Sequence, residues 1–365
     1  MIKKTLVNFL PHGLYLYLRK KKNSNHFLDG FHNFKKRNYS IDFNTIPDEK
    51  FKYIVSVQGL GFSGSGAVLD LLCEVKDCVV LGTNENVKTL GIDHKGEFEV
   101  DFVRFAGGLF EIEKFIDSSN IYHNDALVNR FVKCMNSFPF LFKDIRIGKY
   151  IYHFFDELLD FELRGIKGAP YNSYLYDKKD INSIFFLRKI NVRDFREKCK
   201  YLLVNIFNQF SKSKEDIIVL DQFLGDMTFN MEMYTDYLPK NKMILCYRDP
   251  RDVYTFACEH NISWIAHSNA DSFIKWFKIM TANVDLDTNK YLIVQFEQLI
   301  MDYSYQKNRI LEYLELPIEN HHISKKKYFM PEISKQNIGI WKYNYKLMDD
   351  NKKIATQLGE YCYFA

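Results

Sequence analysis

No apolar run in this chain of 365 residues approaches the roughly 18 that a membrane-spanning helix needs. No C-x-x-C pair occurs either. The seven cysteines, Cys73, Cys78, Cys134, Cys199, Cys246, Cys258 and Cys362, are scattered. An odd number without a framework implies reduced thiols, hence a cytoplasmic protein, and argues against a structural zinc site. His94, His123, His153 and His260 also lack the spacing of metal ligands, so no metal is implied. Charge of one sign is scarce: 50 Lys and Arg against 46 Asp and Glu leave a net +4. That is too mild an excess to imply a nucleic-acid partner. There is no internal repeat and no low-complexity segment.

What the chain does have is a hydrophobic fraction of 47%, enough for a large core, and one organising stretch, Tyr53 to Val75. Its apolar start, Tyr53 to Val57, is rich in β-branched residues and reads as a buried strand. A loop follows with Gly59, Gly61, Gly64 and Gly66 interleaved with Ser63 and Ser65. Val68, Leu71, Leu72 and Val75 then recur at i, i+3, i+4, i+7, the stripe of an amphipathic helix. Strand, glycine-rich loop and helix N-terminus together make a phosphate cradle: glycines admit the anion to the backbone, and N–H groups and the helix dipole favour its charge. The same pattern also serves as a turn that lets a helix pack closely on a sheet. Gly59 to Gly64 has the G-x-x-x-x-G spacing of a nucleoside-triphosphate loop, but Ser65 and Gly66 stand where Lys and Ser/Thr belong. The lysine for the β- and γ-phosphates is missing, which disfavours an ATPase or kinase.

Further short apolar runs occur at Cys78–Leu81, Ile217–Leu220, Met243–Tyr247 and Tyr291–Phe296. The last three end in Asp221, Arg248 and Glu297, and each precedes a helical pattern. Short buried strands alternating with helices predict a parallel sheet, and ligands bind such sheets at the strand C-terminal ends. That rule puts Gly61 to Gly66, Glu85, Asp221 and Arg248 along one edge. Between about 109 and 210 the chain is aromatic and mostly helical in pattern, as at Ala126–Met135, Tyr150–Leu163 and Val192–Phe210; Gly107-Gly108 reads as punctuation before it. Residues 23–50 read as a polar connector. Leu14 to Leu18 followed by Arg19 to Lys22 suits contact with an anionic membrane surface, and equally a poorly ordered basic arm.

A second motif is Met243 to Cys258, MILCYRDPRDVYTFAC. Asp249 fits an N-cap, Pro250 fits N1, and Asp252 at N3 complements the dipole. Arg248 thus stands at a strand end before a helix N-terminus, placed either to fork an anion or to pair with Asp249 or Asp252. Together the two motifs resemble the sulfotransferases that use 3′-phosphoadenosine 5′-phosphosulfate (PAPS), and look closer to bacterial carbohydrate-type members than to the cytosolic enzymes that act on phenols and steroids. In that family a loop of the type K/R-S-G-T-T grips the 5′-phosphosulfate, and R-[ND]-P-x-D-V-x-x-S grips the 3′-phosphate. Gly61 with Phe62-Ser63-Gly64-Ser65-Gly66-Ala67 takes the first place, and Arg248 to Val253 the second. Ser334 to Lys342, SKQNIGIWK, resembles the family's C-terminal loop over the donor.

The resemblance spans about residues 51–365 and implies an α/β fold: a parallel sheet flanked by helices, P-loop NTPase-like, with residues 109–210 as a helical insertion and candidate acceptor-binding part. Residues 1–50 are then an arm and connector. It implies sulfuryl transfer to a hydroxyl of a glycan or glycan precursor, with PAPS as co-substrate and no metal. The general base it implies is a glutamate after the second strand, Glu85 or Glu97, with Asp221 as a third candidate. The chain departs from the pattern at Phe62, where the family has its loop Lys or Arg, and at Phe256, which lies on the apolar stripe with Val253 and Ala257 where the family has a serine. Thr255 is the nearest hydroxyl to the latter, and Lys335, Arg251 or Lys342 is expected to replace the lost cation. The competing readings are a donor-binding protein without catalysis and a P-loop kinase with a displaced lysine.

Overall fold

The computed structural model describes residues 26–36, 45–81, 105–117, 145–164, 183–188, 190–224, 236–238, 240–286, 289–321 and 328–364. Glu85, Glu97, residues 1–22 and Ala126–Met135 lie outside them. In chain order the elements are α1 (His26–Lys36), β1 (Tyr53–Gly59), α2 (Ser65–Leu72), β2 (Cys78–Leu81), α3 (Phe105–Asp117), α4 (Ile145–Leu158), β3 (Leu159–Arg164), β4 (Ser183–Leu187), α5 (Val192–Phe207), β5 (Ile217–Asp221), β6 (Asn241–Tyr247), α6 (Pro250–His260), α7 (Ala270–Met280), β7 (Leu292–Gln295), α8 (Phe296–Met301), α9 (Tyr303–Tyr313), α10 (Pro331–Ser334) and α11 (Met348–Gln357).

The chain divides into two compact units, 1–47 with 108–209, and 48–107 with 210–365. The second unit is α/β. Its five-stranded sheet has the order β2-β5-β1-β6-β7, and every neighbouring pair is parallel. All seven residues of β1 are buried, which is why its sequence is a continuous apolar run rather than an alternation. Val55 and Val57 of β1, Val219 of β5, Ile244 of β6 and Val294 of β7 share one core with Val68, Leu71 and Leu72 of α2, Leu299 of α8 and Ile310 and Leu311 of α9. Each such side chain, fully buried, contributes about 1.5–3 kcal/mol. The chain leaves β1 towards β2 on one side and β6 towards β7 on the other. The C-terminal ends of adjacent β1 and β6 therefore flank a topological switch point, the usual ligand crevice of an open parallel sheet.

The first unit corrects three expectations. Residues 23–50 are not all connector: His26–Lys36 is a helix, with Phe31 and Phe34 buried one turn apart. Phe31 packs edge-on against Phe155 at 4.9 Å and Phe34 against Tyr152 at 5.7 Å, so α1 is held by α4. The helix over Tyr150–Leu163 stops at Leu158. Leu159–Arg164 is a strand, paired antiparallel with β4. Leu159-Asp160-Phe161-Glu162-Leu163 alternates apolar and polar, a period of two that outweighs its helix-forming residues. Gly107 and Gly108 do not punctuate; both lie inside α3. The expected helix at Val192 forms, capped by Asn191, whose side chain accepts from the Asp194 N–H at 2.8 Å. Arg196 of α5 forks Glu113 of α3, with Nε–Oε2 at 2.8 Å and Nη2–Oε1 at 2.6 Å.

Candidate functional site

The glycine loop is shaped by close approaches that exclude side chains. A Cβ at Gly59 would stand 2.1 Å from Ser63 Oγ, and one at Gly64 2.6 Å from the Phe296 ring. Gly64 also has φ +96 and caps α2 without a side-chain hydrogen bond. Ser65, Gly66 and Ala67 form the first turn; the Ala67 N–H donates back to the Gly64 carbonyl at 3.0 Å, and those of Ser65 and Gly66 have no intrahelical acceptor. Ser63 Oγ is buried and has no partner, an orphan where an anion cradle would begin. Phe62 carries φ +63, a conformation that costs a non-glycine residue roughly 1–2 kcal/mol.

Arg248 follows β6 and is 6% exposed. Its Nη1 donates to the Phe62 carbonyl at 3.5 Å, Nη2 donates to the Asn337 carbonyl, and Nε is buried without a partner. Asp252, one helical turn on, pairs with Nη2 at 3.9 Å. Arg248 is thus paired with Asp252, weakly, and its Nε is left as a buried donor beside the loop. Burial pushes its guanidinium down from the ordinary value, while Asp252, Glu297 and Asp249 oppose this.

Asp249 is the N-cap of α6, accepting from the Arg251 N–H at 2.9 Å, with Pro250 at N1. Arg251 is not the replacement cation. It forks Asp249 with Nε–Oδ1 at 2.9 Å and Nη2–Oδ2 at 2.6 Å, lies over the Trp341 ring at 4.1 Å, and donates to the Tyr363 carbonyl at 3.0 Å. Asp252 accepts from the Gly339 N–H at 2.7 Å and the Trp341 N–H at 3.1 Å. The segment Ser334–Trp341 is therefore laid across the start of α6 by Arg248, Arg251 and Asp252. Lys335 on this segment and Lys342 just after it are exposed.

Glu297 opens α8 at the end of β7 and is fully buried. Its Oε1 accepts from the Asp249 N–H at 3.0 Å, and its Oε2 has no partner. Burial pushes this carboxyl up to about 7, against the opposing pull of the Asp249 N–H and Arg248. The folded state therefore keeps a proton that the unfolded chain releases above about pH 4.5. Stability from this group is present below that pH and is lost as pH rises through about 7, by roughly 3 kcal/mol at most. Glu297→Gln should remove this pH-dependent loss. Unfolding free energies at pH 5 and pH 8 test it: the variant gains on the wild type at pH 8, and a difference independent of pH contradicts the assignment.

The remaining residues singled out in the sequence are placed as follows. Asp221 ends β5 in register with Val57 of β1. Gln222 follows with φ +47 and donates from Nε2 to Ser65 Oγ at 3.3 Å, so this strand end does adjoin the glycine loop. Thr255 is buried with its hydroxyl accepting from Asn351 of α11 at 3.3 Å. Phe256 is not on the buried stripe with Val253 and Ala257. It is half-buried, with its ring 4.5 Å from Phe62 and stacked on His260 at 4.1 Å. Phe62 in turn stacks on Trp264 at 5.3 Å. The two departures from the family pattern are thus in contact. Glu297, Asp252 and Trp264 are not among the candidate site residues read from the sequence. Glu297 follows a strand of the same sheet closely, the signal that singled out Asp221; Trp264 carried none. Among the described residues no cluster of three His, Cys, Asp or Glu side chains could hold a metal ion, and no helix is long and apolar enough to cross a membrane.

No family model matches this chain, and no curated protein matches it. Solved structures do. The sulfotransferase domain of the Synechococcus PCC 7002 olefin synthase is similar over 88% of this chain and 98% of its own, at 12% identity and a TM-score of 0.36. Sulfotransferase STF9 from Mycobacterium avium is similar over 86% and 77%, at 13% identity and a TM-score of 0.38. The sulfotransferase domain from the curacin biosynthetic pathway is similar over 86% and 99%, at 10% identity and a TM-score of 0.36.

Proposed function

We propose that this protein is a PAPS-dependent sulfotransferase that moves a sulfuryl group to a hydroxyl of a glycan or glycan precursor. The observation that carries the reading is the meeting of the two motifs across the β1–β6 crevice. Arg248 Nη1 lies 3.5 Å from the Phe62 carbonyl of the glycine loop, and Arg248 Nε and Ser63 Oγ are both buried and unpartnered. A ligand with two separated phosphate groups fits that pair of donor sets. Arg248 holds the 3′-phosphate; the N–H groups of Gly64, Ser65 and Gly66 and the Ser63 hydroxyl hold the 5′ anion. Gly61, Phe62 and Ala67 shape the loop around it, and Lys335 flanks the donor from the C-terminal segment; the buried Thr255 hydroxyl would have to leave Asn351 to reach it. The bound donor supplies an activated sulfuryl group and its phosphate leaving group. Glu97, Glu85 or Asp221 takes the proton from the acceptor hydroxyl. The acceptor class rests on the resemblance of the motifs alone. Cytoplasmic location with peripheral contact through residues 1–22 belongs to the same reading.

Adenosine 3′,5′-bisphosphate should raise the melting temperature in the presence of a chelator, since a ligand of the native state alone stabilises it. A shift seen only with ATP and Mg²⁺ overturns the reading in favour of a kinase. A second reading is favoured by one contact: Phe62 and Phe256 replace a cation and a hydroxyl and pack on each other at 4.5 Å. In that reading the protein binds the donor without catalysis. Transfer of labelled sulfate from PAPS to hydroxyl acceptors separates the two.

A further inference from the structure

We propose that Glu297 is a positioning residue of the anion cradle, one that takes up a proton from solvent when a phosphate engages Arg248 and so couples ligand binding to pH. The inference rests on the placement of an anion at Arg248 given above. Its structural basis is independent of any ligand. Glu297 is 0% exposed. One oxygen, Oε1, holds the Asp249 N–H at 3.0 Å and so fixes the turn that joins Arg248 to α6. The other, Oε2, is sealed from solvent without a partner. The neighbouring Phe296 ring lies 5.2 Å from the Arg248 guanidinium carbon, so α8 presents an aromatic face and an acid to the same arginine.

Among the described residues, few charged or titratable groups face Glu297. From the β6–α6 junction they are Arg248 and Asp249, from β6 Tyr247, and from the C-terminal segment Cys362. Arg248 is the one cation among them, and Asp252 already shares it at 3.9 Å. An unpaired carboxylate oxygen in such a place is costly, and a neutral carboxyl much less so. With the guanidinium unliganded, its charge holds Glu297 near the point of titration. A phosphate dianion on Arg248 turns the local sum negative, and a like charge nearby disfavours ionisation. The proton comes from the buffer, a new O–H bond forms on the carboxylate, and no other bond changes. The Asp249 N–H keeps its acceptor throughout, so the turn stays in place while the charge behind it is removed.

By linkage, phosphate ligands then bind more tightly as pH falls from about 9 to 7, up to about tenfold per pH unit for one proton. The test is calorimetric titration of adenosine 3′,5′-bisphosphate at pH 8 in buffers of different ionisation enthalpy, on the wild type and on Glu297→Gln. Proton uptake should be about 0.5–1 per ligand in the wild type and close to zero in the variant. Titration of the ligand itself is common to both and cancels. Equal uptake in the two proteins overturns this inference and leaves the sulfotransferase reading intact. No binding to the wild type overturns that reading, and this one with it. Should Glu297→Gln not fold, infrared difference spectra of the wild type decide the matter: a protonated-carboxyl band should appear on ligand addition, and its absence overturns the proposal.

Discussion

Arg248→Ala should weaken adenosine 3′,5′-bisphosphate by about 30- to 700-fold, roughly 2–4 kcal/mol, while adenosine 5′-phosphate loses little. The first ligand carries the group that the guanidinium forks and the second does not. Arg248→Lys should recover only part of the loss, because an ammonium cannot reproduce the planar fork. The structure also gives Arg248 work without a ligand, since it donates to the Phe62 and Asn337 carbonyls. A lower melting temperature in the variant is therefore expected and does not count against the ligand role. The ratio of the two affinities decides. Equal losses for both ligands would make Arg248 a structural residue, and the glycine loop would remain as the sole support for a donor site.

Asp252→Ala is expected to have the larger effect on stability, roughly 3–5 kcal/mol, as for removal of one partner from a buried ion pair. The carboxylate is 0% exposed and accepts from two backbone N–H groups 87 and 89 residues away, those of Gly339 and Trp341. Its loss orphans both donors and leaves Arg248 without its nearest counter-charge. Burial raises the Asp252 carboxyl above its ordinary value, with Arg248 and the two N–H groups opposing, so the pairing is a balance of large terms. Asp252→Asn keeps an acceptor for one N–H and should cost less. Urea unfolding of the two variants measures this. A loss below about 1 kcal/mol for Asp252→Ala would mean that the C-terminal segment is not anchored at α6 as described.

The sheet was legible because its central strands β1 and β5 are buried almost throughout and the half-buried edge strand β2 is still a short run of apolar residues. Cys78–Leu81, Ile217–Leu220 and Met243–Tyr247 are short β-branched and apolar runs, and each coincides with a strand to within two residues. The start of α6 was legible because Asp249, Pro250 and Asp252 act locally, through caps and the dipole. What escaped depends on distant residues. The β3 strand exists by pairing with β4, and its Leu and Glu content favours a helix when read alone. Arg251 forks Asp249 two residues back, but its packing on Trp341 and its bond to Tyr363 lie 90 and 112 residues on, which no spacing rule near Arg251 reveals. Phe256 looked like a core residue by periodicity, yet α6 turns it outward to Phe62, a residue on another loop. Glu297 was visible as a strand-end acid, but its complete burial and its bond to Asp249 needed the parallel register of β6 and β7.

The proposed function requires a metal-free bisphosphate site at the β1–β6 crevice. Calorimetric titration of the wild-type protein with adenosine 3′,5′-bisphosphate in the presence of a chelator tests it directly. A single saturable site is expected, with adenosine 5′-phosphate binding more weakly by about the same factor that Arg248→Ala removes. No measurable binding, or binding of ATP with Mg²⁺ in its place, would contradict it.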